Sequence, residues 1–233
     1  CEEHIAIAKK AAEEGITLIK NEGVLPLKKD KVKKVAMIGK LANKENIGDH
    51  GSSWVRPPYV VTPVQGMERI NPDSEVIFND GSDLESAKKL AREADAVVFV
   101  VGYNHDDEGE FVSADQAANY TGAMGGDRKT SLGLHEDEIK LIQEVGPENP
   151  KSAVVLIGGN MIMMTEWYDC VNAVMMAYYP GMEGGTAIAE ILYGDVNPSG
   201  KLPYVVPYRE EDLPYVDWEA TDQYYEYYHG YTR

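Results

Sequence analysis

Residues 178–207 read YYPGMEGGTAIAEILYGDVNPSGKLPYVVP. A glycine-rich loop comes first, then an amphipathic stretch over 183–193 that predicts a helix, and then a Pro-Ser-Gly turn. An apolar run over 172–177 stands directly before the loop and predicts a strand. This order of strand, loop and helix is typical of one unit of a layered α/β fold.

The same order of strand and helix recurs along the rest of the chain. Short apolar runs predict further strands over 34–38, 75–78, 96–101 and 152–157. Apolar residues at helical spacing predict helices over 2–14, 82–94 and 134–145, with a helical turn over 161–167. The strands are continuously apolar instead of alternating, which indicates burial on both faces. We therefore predict a three-layer α/β/α sandwich with a mostly parallel six-stranded sheet.

One local signal concerns the start of the helix over 82–94. Ser82 and Glu85 stand three positions apart, and this spacing matches a capping box. In such a box the Ser side chain accepts a hydrogen bond from the backbone amide of the Glu, and the Glu side chain accepts one from the backbone amide of the Ser. The pattern predicts that Ser82 is the helix cap.

We interpret residues 1–207 as one sandwich domain, because neither an internal repeat nor a low-complexity linker interrupts them. Residues 208–233 are polar and rich in tyrosine, and they end in YYEYYHGYTR. We predict that they form an extended tail or hairpin leading to a domain boundary, because aromatic side chains pack well where two surfaces meet.

The amino-acid composition argues against some kinds of binding partner. A formal net charge of −17 argues against nucleic acid, because phosphate contacts require clustered Lys and Arg. No apolar run approaches the roughly 18 residues needed to cross a bilayer, so we expect no membrane partner. Cys1 and Cys170 are the two cysteines, and their separation predicts neither a disulfide framework nor a metal site. The compartment, cytoplasmic or secreted, and the oligomeric state stay open.

The loop after the strand over 96–101 carries a dense group of chemically active side chains. In a parallel sheet, functional loops lie at the carboxyl ends of the strands. This loop contains His105, Asp106, Asp107, Glu108 and Glu110. Carboxyls so close repel one another, and one that thereby keeps its proton near neutrality can act as a general acid. A solvated loop tip and a cation site stay open as alternatives, although the spacing is not that of an EF-hand.

Two motifs of the middle of the chain stand in a fixed order, GYNHDDEGEF at 102–111 and GGDRKTSLGL at 125–134. Together with the stretch at 178–207, they resemble the second, α/β sandwich domain of glycoside hydrolase family 3. The resemblance implies that Glu108, which a glycine follows, is the general acid/base. Glu110 is the competing residue, because the register of the motif in this loop is ambiguous by two positions.

A further loop, GDHGSSWVRPPYVVTPVQGM at 48–67, resembles the Gly-Ser loop of the same family. We expect its Trp54 and Arg56 to bind substrate, because aromatic rings stack on sugar faces and guanidinium groups donate in a fork. The alternative for Trp54 is packing against a neighbouring domain. His50 lies in the same loop and is the third candidate for substrate binding.

The resemblance implies a retaining, exo-acting β-glycosidase, similar to β-glucosidases, that works through two carboxylates. This chain would supply the acid/base, and an Asp on a (β/α)8 barrel domain that the chain does not contain would supply the nucleophile. The implied partners are a β-linked glucoside and the enzyme's own barrel domain, and no cofactor is needed. The isolated chain is therefore expected to be inactive.

A non-catalytic α/β module that binds a nucleotide or a sugar is the alternative from another functional class. Gly158-Gly159-Asn160, after the strand over 152–157, is too short a signal to support a nucleotide site.

Overall fold

The computed structural model describes residues 1–48, 54–108, 131–215, 217 and 220–224. The helices are α1 (Glu2–Gly15), α2 (Pro63–Ile70), α3 (Leu84–Glu93), α4 (Glu136–Val145) and α5 (Gly184–Tyr193). The strands are β1 (Thr17–Asn21), β2 (Lys34–Ile38), β3 (Glu75–Asn79), β4 (Ala96–Gly102), β5 (Ser152–Ile157) and β6 (Ala173–Tyr178). Short 3₁₀ helices cover Gly146–Glu148, Tyr168–Cys170 and Glu210–Asp212.

The strands of the described residues form one six-stranded sheet in the order β1-β6-β5-β4-β2-β3. β1 runs antiparallel to β6, and the other neighbouring strands are parallel. In the centre of the sheet, Phe99 of β4 lies opposite Ile38 of β2 on one side and Val154 of β5 on the other. The predicted sandwich with a mostly parallel six-stranded sheet is confirmed.

Alternate residues of β4 face two separate hydrophobic cores, one on each side of the sheet. One core joins α1, α2 and α5 and contains Ala96, Val98 and Val100. The other joins α3 and α4 and contains Val97, Phe99 and Val101. A large apolar side chain buried in this way contributes about 1.5–3 kcal/mol. Burial on both faces explains why the central strands are continuous apolar runs in the sequence.

The helices α2 and α5 pack backbone against backbone, and this contact explains the glycines at 66 and 185. A β-carbon on Gly66 would lie 1.9 Å from the carbonyl oxygen of Gly185. A β-carbon on Gly185 would lie 2.1 Å from the carbonyl oxygen of Thr62. No side chain tolerates such distances, so both positions require glycine for the helices to approach this closely.

The cap of α3 differs from the sequence prediction. Asp83 is the cap, and its Oδ1 accepts hydrogen bonds from the amides of Glu85 (3.1 Å) and Ser86 (3.2 Å). The predicted capping box with Ser82 as cap is therefore wrong. The Ser82 hydroxyl instead donates to Asp80 (2.6 Å), because the helix begins one residue later than the box requires.

The helical turn predicted over 161–167 is observed only at the end of that segment. The amide of Met163 donates to the carbonyl of Leu132 (2.8 Å), so the first residues pair with the segment before α4. The carbonyl of Met164 accepts from the amides of Trp167 (3.0 Å) and Tyr168 (2.8 Å), and this turn leads into the 3₁₀ helix Tyr168–Cys170.

Candidate functional site

The loop after β4 folds into one compact turn around Asn104. The Asn104 carbonyl accepts hydrogen bonds from the amides of Asp107 (3.0 Å) and Glu108 (2.9 Å), and its side chain accepts from the amide of Asp106 (2.7 Å). The Asp107 side chain accepts in return from the amide of Asn104 (3.1 Å). Asn and Asp side chains favour turns because they bond to backbone groups a few residues away. The turn fixes the backbone at Glu108.

The half-buried carboxylate of Glu108 lies where the loops after three adjacent strands meet. Its Oε2 accepts a hydrogen bond from the amide of Gly159, which follows β5, at 2.7 Å. The same oxygen accepts one from the hydroxyl of Tyr179, which follows β6, at 2.8 Å. Glu108 itself comes from the loop after β4, so the carboxyl ends of β4, β5 and β6 are joined through one oxygen atom.

The glycines after β5 allow this close approach, and sequence reasoning missed their role. A β-carbon on Gly159 would lie 3.2 Å from Cε2 of Tyr179 and 3.3 Å from Oε2 of Glu108. Contacts of that length require the neighbours to move. A glycine pair directly after a buried strand was the available signal, since such glycines often mark a close backbone approach.

The other acids of the loop after β4 have separate partners. Asp107 lies 3.2 Å from Nε2 of His135, the residue before α4, and Asp106 lies 3.3 Å from Nε2 of His105. Lys44 reaches Asp106 at 4.0 Å. The carboxyls are thus directed toward different groups. The expectation that mutual repulsion keeps a proton on one of them stays a prediction.

The two described candidates for substrate binding contact each other. The guanidinium carbon of Arg56 lies 4.2 Å from the centroid of the Trp54 ring, which is a cation–π contact. The Trp54 side chain stays 45% exposed. The remaining candidates, His50 and Glu110, lie outside the described residues.

A cavity at the same edge of the sheet is lined by Lys44, Asn46, Ile157 and Pro180 among other residues, and its volume is ≈ 20 Å³. That is room for about one water molecule and not for a sugar ring.

Among the described residues, no group of three or more His, Cys, Asp or Glu side chains is arranged to hold a metal ion. No helix within those residues is long and apolar enough to cross a membrane.

Glu138, in the first turn of α4, is a buried acid that sequence reasoning did not single out. Its Oε1 accepts a hydrogen bond from the amide of Gly102, the last residue of β4, at 3.1 Å. Its Oε2 is buried and has no hydrogen-bond partner among the described residues. Burial raises the pKa of Glu138 to about 8, and the charge of Asp137 adds to the rise.

Glu183, the residue before α5, is a second buried acid in a different environment. It accepts hydrogen bonds from the hydroxyls of Tyr59 (2.6 Å) and Thr186 (2.6 Å) and from the guanidinium of Arg69 (3.1 Å). Burial alone would raise the pKa of Glu183, but these hydrogen bonds and the charge of Arg69 outweigh it and lower the pKa. The group ties the extended segment that follows Trp54 to α2 and α5.

Comparison with known proteins gives consistent matches over nearly the whole chain. A model of the family described as Glycosyl hydrolase family 3 C-terminal domain matches residues 16–232. The chain is 32% identical over 233 residues to the probable β-glucosidase F of Aspergillus fumigatus, with 91% of this chain and 25% of that protein covered. It is 33% identical over 240 residues to the thermostable β-glucosidase B of Acetivibrio thermocellus, with 97% and 29% covered.

A solved structure agrees with these matches. The β-glucosidase of Chaetomium thermophilum superposes with a TM-score of 0.79 at 27% identity, with 95% of this chain and 28% of that chain covered. The chain thus spans about a quarter of the length of the curated relatives it matches.

Proposed function

This chain belongs to the glycosyl hydrolase family 3 C-terminal domain, and from that premise we propose that it is one domain of a retaining, exo-acting β-glycosidase. In this proposal Glu108 is the general acid/base, and the enzyme's (β/α)8 barrel domain supplies the nucleophilic Asp. The substrate is a β-linked glucoside or a related oligosaccharide. The β-glucosidase names of the relatives support this substrate class.

The position of Glu108 is the observation that carries the proposal. Its carboxylate lies where the loops after β4, β5 and β6 meet, and α/β proteins bind their ligands at the carboxyl ends of parallel strands. Two donors hold one of its oxygens, and a fixed position is what general acid catalysis requires. Glu110, two positions further on, is the competing residue.

The chemistry needs a second carboxyl group. In a retaining glycosidase two carboxyls about 5 Å apart flank the scissile bond. One donates its proton to the leaving oxygen while the other bonds to C1, and water then hydrolyses the glycosyl-enzyme. With one carboxyl on each of two domains, neither domain is active alone.

The test compares Glu108→Ala with Glu110→Ala in the enzyme that joins this domain to its barrel. Glu108→Ala is expected to slow hydrolysis of glucosides with poor leaving groups by about 10²- to 10⁴-fold. Dinitrophenyl glucosides should be affected far less, because their leaving group needs no proton. Azide should restore part of the rate, because it attacks the glycosyl-enzyme without a general base.

Two outcomes would contradict the proposal. If Glu110→Ala shows the leaving-group dependence and azide rescue while Glu108→Ala does not, the acid/base is Glu110. If the isolated chain hydrolyses an aryl β-glucoside as fast as the joined enzyme, the active site is not divided between two domains.

Two further assignments follow from the same proposal. Trp54, Arg56 and His50 contribute to the sugar site, and the exposed Trp54 ring offers a stacking surface. The sandwich domain covers residues 1–207, and residues 208–233 lead to the domain boundary. Tyr208, Tyr215 and Tyr224 are 82%, 83% and 90% exposed, as expected of aromatic side chains that a neighbouring domain covers.

A further inference from the structure

A cavity of ≈ 360 Å³ lies at the carboxyl ends of β2 and β3. Gly39 and Lys40, which follow β2, form one side of it, and residues 80–82, which follow β3, form another. The remaining wall comes from the start of α3 and the first turns of α4. Small-molecule sites in proteins have volumes of about 300–1,000 Å³, so this cavity suits a ligand of the size of one sugar ring.

The cavity lies where the order of the parallel strands reverses. β3 lies on one side of β2, and β4 lies on the other. The chain therefore extends the sheet in one direction up to β3 and in the opposite direction from β4 onward. Sheets of this kind bind ligands outside the carboxyl ends of their strands, at such a reversal. The loop after β2 and the helix after β4 both line the cavity, whereas Glu108 contacts residues after β5 and β6.

The floor of the cavity contains a carboxyl group with an unpartnered oxygen. Glu138 lines the cavity and is 5% exposed. Its Oε1 accepts a hydrogen bond from the amide of Gly102 (3.1 Å). Its Oε2 is buried and has no hydrogen-bond partner in the part of the chain that the structure describes. Buried polar atoms are nearly always hydrogen-bonded, so the partner of Oε2 has to come from a molecule in the cavity.

The rim of the cavity carries charges of both signs. Nζ of Lys40 lies 2.5 Å from Oδ2 of Asp137, and both side chains are more than half exposed. Asp80 and Lys140 also line the cavity. The charges of the two lysines and the two aspartates cancel. Burial raises the pKa of Glu138 to about 8, so this group adds little charge at neutral pH.

This mixture of polar groups selects a ligand by its chemistry. Ammonium groups only donate hydrogen bonds, carboxylates only accept them, and a hydroxyl group does both. A hydroxyl can therefore bond to Oε2 of Glu138 in either protonation state, and to Lys40 and Asp137 alike. An anionic ligand would face the two aspartates and an ammonium ligand the two lysines, and like charges brought together weaken binding. A neutral molecule with several hydroxyl groups avoids both kinds of repulsion.

We propose that this cavity is a binding site for one neutral, polyhydroxylated molecule of the size of a monosaccharide. Its hydroxyl groups bond to Oε2 of Glu138 at the floor and to Lys40 and Asp137 at the rim. Binding is non-covalent, and the site is additional to the one proposed at Glu108. The inference does not depend on the glycosidase function, because the residues that carry it belong to α4 and to the loops after β2 and β3.

The first experiment titrates this chain with glucose and follows backbone amide resonances by NMR. Gly39 and Gly81 line the cavity, and the amide of Gly102 donates to Glu138. We expect saturable shifts of these three resonances with a dissociation constant of about 1–10 mM, because a ligand of this size gains limited binding energy. Glucuronate and protonated glucosamine have the same ring with a charge, and both should bind at least about fivefold more weakly.

The second experiment repeats the glucose titration in Lys40→Met, with Lys88→Met as the matched control. Each lysine forms an ion pair with an acid of α4, and Lys88 pairs with Glu144 at 2.6 Å. Of the two lysines, only Lys40 lines the cavity. We expect Lys40→Met to weaken glucose binding at least about tenfold, because a hydrogen bond from a charged donor is lost. Lys88→Met should change it less than about twofold.

A third titration tests the floor of the cavity. Glu138→Met replaces the carboxyl with an apolar group of similar length and should abolish saturable glucose binding. Retained binding in the folded variant would overturn the inference. If Glu138→Met does not fold, the comparison of Lys40→Met with Lys88→Met decides the question.

The remaining outcomes are equally distinct. The absence of saturable shifts up to about 100 mM glucose would overturn the inference and leave the cavity to water. Shifts confined to Gly159, beside Glu108, would place the sugar elsewhere and also overturn it. The same holds if either charged sugar binds more tightly than glucose, or if the two lysine variants have equal effects. A failure of the proposed function would instead appear in the leaving-group dependence of Glu108→Ala, which these titrations do not measure.

Discussion

The starts of α4 and α5 each contain a buried glutamate, and the two carboxyls behave in opposite ways. Glu138 and Glu183 are both 5% exposed. Burial raises the pKa of Glu138 to about 8, whereas the pKa of Glu183 is lowered although burial acts on it too. Both lie near the positive end of a helix, so the helix dipole does not separate them. Equal exposure to solvent therefore does not give equal pKa values, because Glu138 lies deeper among protein atoms than Glu183.

The number and kind of hydrogen-bond donors adds to this difference in depth. Glu138 accepts from the backbone amide of Gly102 but from no hydroxyl or guanidinium among the described residues, and the like charge of Asp137 opposes the effect of Lys40. Glu183 accepts from two hydroxyls and from the guanidinium of Arg69. Donors and an opposite charge stabilise the ionised form, and burial without them stabilises the neutral form. The surroundings of Glu183 at the start of α5 thus favour the ionised carboxylate. The surroundings of Glu138 at the start of α4 favour the protonated carboxyl.

Removal of the Glu183 carboxylate should give the largest effect on stability. Glu183→Ala removes the acceptor of the Tyr59 and Thr186 hydroxyls and leaves Arg69 with the Thr186 hydroxyl oxygen alone. We expect a loss of about 3 kcal/mol in the free energy of unfolding, because several hydrogen bonds to one charged group are lost together. Urea denaturation at neutral pH measures it. Glu183→Gln keeps the size and one acceptor oxygen and should lose less.

The sign of the pH dependence follows from the lowered pKa of Glu183. The ionised form is stabilised in the folded chain, so this contribution is present above the usual carboxyl pKa and disappears as the pH falls through the lowered one. The stability advantage of the parent over Glu183→Gln should therefore shrink in acid. A loss below about 1 kcal/mol for Glu183→Ala would mean that the donors at α5 stabilise little.

Glu138→Gln should have the opposite and somewhat smaller effect. Glu138 ionises near 4.5 when unfolded and near 8 when folded. The parent therefore loses stability as the pH rises through that interval, because only the unfolded chain releases the proton. The variant has no such loss, and from pH 5 to pH 6.5 it should gain about 2 kcal/mol relative to the parent.

Glu136→Gln is the matched control for this experiment. Glu136 lies in the same first turn of α4 but is exposed, and its replacement should change stability by less than about 0.5 kcal/mol at either pH. Parallel pH profiles for the parent and Glu138→Gln would contradict the assignment of a proton to Glu138.

The sequence predicted the elements that carry both glutamates but not the difference between them. Most strands were recognisable because burial on both faces leaves continuous apolar runs, and most helices because their apolar spacing survives in the core. Neither β1 nor α2 was assigned a range from the sequence. In the sequence, Glu138 and Glu183 are both acids near the start of a predicted helix. Two of the donors to Glu183 come from 124 and 114 positions away, and no local pattern contains that information.

The same limit applies to the candidate site. The position of Glu108 at the carboxyl end of a central strand followed from the alternation of strands and helices. Its partners Gly159 and Tyr179 are 51 and 71 positions away. A glycine pair and a tyrosine in a tyrosine-rich stretch are ordinary in sequence, so only the packing of three adjacent strands reveals what they contact.

The prediction with the smallest expected effect asks whether each hydrogen-bond donor to Glu183 contributes separately to stability. Thr186→Val preserves the shape of the side chain and removes one hydroxyl that donates to Glu183. We expect a loss of about 1 kcal/mol by urea denaturation, because Tyr59 and Arg69 still donate to the carboxylate. The pKa of Glu183 should rise, because one of the hydrogen bonds that lower it is gone.

The loss of stability in acid should therefore be smaller in Thr186→Val than in the parent, and it should be complete at a higher pH. Thr186→Ser retains the hydroxyl and should leave both quantities unchanged. If Thr186→Val lost as much stability as Glu183→Ala, one hydroxyl would be doing what we attribute to three donors. The difference in pKa between Glu183 and Glu138 would then need another cause.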